Sequence, residues 1–186
     1  MSDATYDVLG VGNAIVDIIA QADEAFLEKH GMPKGGMALI DEAQAHAIYA
    51  DMGAAIEASG GSAGNTIAGV ASYGGKAAFI GKVKQDTFGE IFKHDLTSLG
   101  VTFATPAATD GPATARCLVL VTSDAQRTMN THLGTCVNLT PDDIDADLVA
   151  ASAITYLEGY LFDPPAAKEA FRKASTIARG AGRKVA

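Results

Sequence analysis

The sequence has only two cysteines, Cys117 and Cys136, and they stand far apart without C-x-x-C spacing. That argues against a disulfide framework and a cysteine zinc site, and both thiols read as reduced structural side chains. Positive charge is scarce as well: 14 Lys and Arg stand against 22 Asp and Glu, a formal net charge of −8. Such a field repels phosphate backbones and anionic headgroups, so neither nucleic acid nor a membrane surface is expected as a partner. No apolar run approaches the ~20 residues of a membrane helix, and no basic N-terminal segment leads into an apolar one. The expectation is a soluble, cytoplasmic chain, for which the sequon Asn138-Leu139-Thr140 has no meaning. Tryptophan is absent and aromatics make up 6%, yet 48% of the residues are apolar and 19% charged. This is a globular composition able to bury one sizeable core, and it excludes disorder, collagen and coiled coil.

Helical and strand patterns alternate along the whole length. Tyr6 to Val11 and Ile15 to Ala20 are β-rich runs interrupted by Asn13 and Asp17. A short helix follows over Asp23 to His30, then a strand over Met37 to Ile40. A helix opens at Asp41 with Gln44 completing a capping box, and Gly53 is the expected left-handed stop. A strand near Ala54 to Ala58 leads into Gly60-Gly61-Ser62-Ala63-Gly64-Asn65 and an alanine-rich helix. Lys76 to Val83, Val101 to Thr105, and a hairpin of Ala113 to Thr122 with Arg127 to His132 read as strands, and Asp86 to Leu99 as a helix. Thr140-Pro141-Asp142-Asp143 is a helix start, Ala153 to Leu161 a strand, and Pro164 opens the last helix. The expected fold class is α/β, a doubly wound, mainly parallel sheet with a small β lid of strands near 15–20, 37–40 and 101–115. Residues 1–186 form one unit on this reading. Because the sequence closes on Arg183-Lys184-Val185-Ala186, the start of a further strand, a domain truncated at its C-terminus is expected.

Known glycine signatures do not fit. Gly10-Val11-Gly12 has Ile15 where a dinucleotide fingerprint needs its third glycine, and a β-branched run follows instead of a helix. The Gly60 loop lacks the Gly-Lys-Ser/Thr of a Walker loop. Taken alone it is a tight turn with a serine cap. Together with Asn13 and Asp17 it gains another meaning, because a polyol needs carboxylate acceptors, amides that donate and accept, and close backbone. Asn13, Asp17, Gly60, Gly61, Ser62 and Asn65 provide that set. Glu158 stands at the C-terminal end of an expected strand, where doubly wound folds bind ligands, and ranks second as a site candidate. His94 and His132 lack metal-ligand spacing, and no metal site is expected. Asp142, Asp143, Asp145 and Asp147 read as helix-start charge and solvated surface.

Three segments carry a resemblance: Val8 to Asp17, Gly60 to Gly74, and Asp86-Thr87-Phe88-Gly89. The chain resembles the N-terminal part of ribokinase-like (PfkB) sugar and nucleoside kinases, in their adenosine-kinase-like branch. The resemblance implies ATP-dependent phosphorylation of a hydroxyl on a nucleoside or sugar, with Asp17 as the main anchor of the sugar hydroxyls. Asn13 would assist it, and Gly61, Ser62 and Asn65 would complete the site. It also implies that Met129, Thr131 and Leu133 border the acceptor pocket and that Met37 and Leu39 close over it, although apolar packing explains these five equally well. Ile67 and Lys84 depart from the family pattern at positions away from substrate. A larger departure is the missing Gly-Ala-Gly-Asp segment, which in that family holds the catalytic base, the anion hole and most contacts to ATP and Mg2+. No catalytic residue is therefore assigned in this chain, which alone is expected to be inactive. The rival reading is a non-catalytic module that binds a nucleoside or sugar; a third is another α/β nucleotide-binding enzyme built on the Gly60 loop. The exposed lid strands also allow a homodimer through their edges.

Overall fold

The computed structural model describes residues 4–186; Met1 to Asp3, part of the terminus read above for a targeting signal, lie outside the described residues. In chain order the elements are β1 (Tyr6–Val11), β2 (Ile15–Gln21), α1 (Glu24–Lys29), β3 (Met37–Leu39), α2 (Glu42–Asp51), β4 (Ile56–Gly60), α3 (Ser62–Ser72) and β5 (Ala77–Ile80). They continue as α4 (Thr87–Ser98), β6 (Thr102–Phe103), β7 (Ala115–Val121), β8 (Arg127–His132), α5 (Ala146–Ala150), β9 (Ser152–Leu157), α6 (Pro165–Gly180) and β10 (Lys184–Val185).

The strands divide between two sheets. One is five-stranded and parallel throughout, in the order β10-β9-β1-β5-β6. The other is five-stranded and mixed, in the order β3-β8-β7-β2-β4. In it β2 runs parallel to β7 and antiparallel to β4, while β7 and β8 form the expected antiparallel pair.

Period-two alternation assigns the parallel sheet's two faces to two cores. Leu9, Val11, Ala78 and Ile80 pack with Ala167, Ala170, Phe171, Ala174 and Ala178 of α6. These α6 positions repeat at helical spacing and form one apolar stripe. On the opposite face Ala77 and Phe79 meet Ile67 of α3 and Phe92 and Leu96 of α4. The same core continues into Val16, Ile18, Leu118 and Leu120 of the mixed sheet, so α3 and α4 are sandwiched between the sheets. Gly10 makes this approach close, since a Cβ there would lie 2.6 Å from Ile67 Cγ1.

Several sequence expectations are corrected. The strands expected near 15–20 and 37–40 belong to a full mixed sheet, and β6, grouped with them by sequence, is instead an edge strand of the parallel sheet. Phe103 accounts for that position: its ring lies 5.9 Å from Phe79 of β5 and 5.5 Å from Phe92 of α4, an aromatic cluster beside the edge of the parallel sheet. The Thr140 start yields only a 3-10 turn, Pro141–Asp143, before α5. Asp143 accepts from Thr140 N and pairs with Lys82, which ties this turn to the end of β5 instead of extending it. β9 stops at Leu157, because Gly159–Leu161 turns into a 3-10 helix. α2 ends at Met52 in an extended conformation, so Gly53 is not a left-handed cap.

Candidate functional site

The site forms where β1 turns into β2, where β4 turns into α3, and where β9 ends. Asp17 sits mid-strand in β2, opposite Ala58 of β4 and Cys117 of β7. Its half-buried carboxylate accepts no hydrogen bond from the described residues, and burial pushes its pKa above the ordinary carboxylate value. A Cβ on Gly60 would overlap this carboxylate, so Gly60 is required by the approach of β4 to Asp17. Gly61 has φ +80°, and a Cβ there would lie 2.8 Å from Asn13 O.

Gly61 is the N-cap of α3 and has no side chain to offer the first turn. Ser62 is therefore not the cap. Ser62 and Asn65, three residues apart, share one exposed face of the first turn. Asn13 differs from the expectation of an open hydroxyl ligand: it is 3% exposed, and its Oδ1 accepts from Cys136 Sγ at 3.0 Å. Its backbone N–H donates to Glu158 Oε2 at 2.5 Å. Glu158, immediately after β9, also accepts from Ala63 N at 3.2 Å, and the Ser62 N–H points to the same carboxylate. Burial raises the Glu158 pKa against the pull of these donors, and burial raises the thiols too, Cys117 to about 11.

Strand pairing sets residues in rows across the mixed sheet. Asp17, Cys117, Thr131 and Leu39 are successive register partners on β2, β7, β8 and β3. The parallel row two residues along is Ile56, Ile19, Val119, Met129 and Met37. Both rows lie on the face away from the core shared with α3 and α4, and Met37 and Leu39 are 61% and 64% exposed there. Thr131 Oγ1 donates to Cys117 Sγ at 3.3 Å. The structure thus brings Asp17, Met37, Leu39, Met129 and Thr131 onto one face. Leu133 is not among them, because β8 ends at His132 and Leu133 has entered a helical turn. Cys117 escaped the sequence reading of the site; its alternation with Arg116 and Leu118 was the available signal.

The first turn of α3 donates to the Glu158 carboxylate, so these N–H groups are not open to a phosphate, and among the described residues no group of three or more His, Cys, Asp or Glu could hold a metal ion. No phosphoryl-transfer step is assigned to these residues. Nor is any helix among the described residues long and apolar enough to cross a membrane.

Residues 53–185 match the family described as pfkB family carbohydrate kinase. Adenosine kinase from Sinorhizobium meliloti is similar in structure with a TM-score of 0.90 and 56% identity, over 98% of this chain and 56% of that one. A probable sugar kinase protein from Rhizobium etli has a TM-score of 0.90 at 51% identity, over 98% of this chain and 55% of that one. Fructokinase of Solanum tuberosum is 28% identical over 129 residues, 68% of this chain and 40% of that protein. The chain thus spans about half the length of these relatives.

Proposed function

The chain belongs to the pfkB family of carbohydrate kinases, with a ribokinase-like α/β fold, and from this we propose that it carries the acceptor-binding half of an ATP-dependent nucleoside kinase. The acceptor is an adenosine-like nucleoside, whose ribose hydroxyls donate to Asp17 while Ser62 and Asn65 supply further polar groups at the α3 start. Asn13 supports the turn from within.

The observation that carries this reading is the row from Asp17 through Cys117 and Thr131 to Leu39. Neighbouring strands stand about 4.8 Å apart, so β3 lies about 14 Å from β2. A free hexose bound at Asp17 leaves the far end of this row uncovered. A nucleoside extends its base along it, over Thr131 and toward Leu39, with Met129 beside it. Ionised Asp17 has no donor among the described residues, so incoming hydroxyls are its natural partners, and a carboxylate held from water accepts them strongly. The chemistry this serves is in-line transfer to a positioned hydroxyl, in which placement of the acceptor is the share of this chain.

Calorimetric titration with adenosine, ribose and fructose tests the reading. Adenosine is expected to bind at least ~10-fold more tightly than either sugar, a gap of about 1.4 kcal/mol. Equal affinities, or a preference for fructose, would overturn the nucleoside assignment.

A further inference from the structure

Glu158 lies against the acceptor site, yet its carboxylate is turned inward. It is 2% exposed, and both oxygens are taken by backbone donors, Oε2 by Asn13 N and Oε1 by Ala63 N. Its own N–H is bound to Val11 O at 2.9 Å. The carboxylate is thus shut off from solvent and engaged by backbone donors inside the protein.

We propose that Glu158 is the positioning residue of the acceptor site, a buried clamp that joins the β1–β2 turn, the first turn of α3 and the end of β9. The inference rests on the acceptor-site reading above. Three features of the fold require the clamp. First, α3 begins at a glycine with no side-chain cap, so its orphan N–H groups need an acceptor, and Glu158 supplies one from 95 residues away along the chain. Its negative charge at that end also complements the helix dipole. Second, Gly12 has no room for a side chain: a Cβ would lie 2.5 Å from Glu158 Oε2 and 2.7 Å from Ala63 Cβ. The β1 end is therefore moulded around the carboxylate. Third, the clamp extends through Asn13 Oδ1 to the Cys136 thiol, which fixes the turn Gly134–Asn138 as well.

The carboxylate of Glu158 is held by the backbone N–H groups of Asn13, Ala63 and Ser62, and it forms no ion pair with the described residues. The first turn of α3 brings no titratable group, and the 134–138 turn brings Cys136, whose thiol the Glu158 charge and burial keep protonated. Protonating Glu158 would aim an O–H at groups that are themselves donors. Since burial raises its pKa, the clamp is lost as pH falls through that raised value and is intact above it.

The test uses the full chain, 15N-labelled. On acidification the amide protons of Asn13 and Ala63 are expected to shift together, with a midpoint above the ordinary glutamate value of 4.5. Asp17→Asn, which removes the other carboxylate of raised pKa, should leave that titration in place, whereas Glu158→Gln should abolish it. Glu158→Gln should also weaken adenosine binding at neutral pH by about 10-fold or more, as loss of a hydrogen-bonded buried charge would. Amides that do not titrate, or a Glu158→Gln variant that binds adenosine as wild type does, would overturn the proposal. Should wild type bind no adenosine while the amides titrate as described, the nucleoside reading falls and the clamp stands.

Discussion

Substituting Gly12 by alanine probes the packing that assembles the site. The added Cβ would lie 2.5 Å from Glu158 Oε2, 2.7 Å from Ala63 Cβ and 2.8 Å from Glu158 Cβ. Ordinary van der Waals contact begins near 3.4 Å, so each neighbour must retreat by several tenths of an ångström. None can do so freely, because the Glu158 oxygens are held by backbone N–H groups and Ala63 is anchored in the first turn of α3. Overpacking of this kind costs about 1–3 kcal/mol. For a chain of this size that corresponds to a fall in melting temperature of roughly 3–10 °C. Gly69→Ala is the matched control: Gly69 lies inside α3, a Cβ added there would meet nothing within 4 Å, and alanine should stabilise by about 0.4–1 kcal/mol. Melting curves followed by circular dichroism measure both. A Gly12→Ala variant as stable as wild type would refute the claim that β1, α3 and Glu158 are locked together.

Asp17→Asn should raise the melting temperature at neutral pH, because burial makes the ionised carboxylate costly in the folded state. The sign follows from a folded pKa raised above 3.8: the penalty is absent below that value and grows as pH rises through the folded pKa, so the variant's advantage disappears in acid. Melting curves across that range check it. Phe92→Ala removes a fully buried ring that packs 5.6 Å from Phe79 and 5.5 Å from Phe103, and chemical denaturation should show a loss of about 3–5 kcal/mol. Cys117, with its pKa pushed up to about 11 by burial, should react with iodoacetamide far more slowly than a free thiol near pH ~8, as mass spectrometry of the modified peptide would show.

Local signals made much of this architecture legible. The capping box of Asp41 and Gln44, the hairpin of β7 and β8, and the apolar stripe of α6 each follow from residues within a few positions of one another. The division of strands between two sheets does not. β6 carries no local mark of its sheet, and its place is decided by Phe103 meeting Phe79 and Phe92 from elsewhere in the chain. The site shows the same divide. Asp17 and the Gly60 loop were visible as polar and glycine interruptions, and the loop closes on Asp17 as a carboxylate needing bare backbone would require. Asn13 was also visible, yet its burial against Cys136 depends on a partner 123 residues away. Glu158 stood out as an acid at the C-terminal end of an expected strand, a second-ranked site candidate; that its oxygens face three backbone donors depends on how β1, α3 and β9 converge. Leu133 fell out of the lid row because alternation holds only while the strand lasts.

The most direct test of the central claim is the dissociation constant for adenosine of wild type against Asp17→Ala, measured by calorimetry at neutral pH. Hydrogen bonds to a charged group are each worth about 1.5–3 kcal/mol, so loss of the Asp17 carboxylate should weaken binding by roughly 10- to 150-fold while the chain remains folded. Equal affinity in the two proteins would contradict the assignment of Asp17 as the anchor of the acceptor.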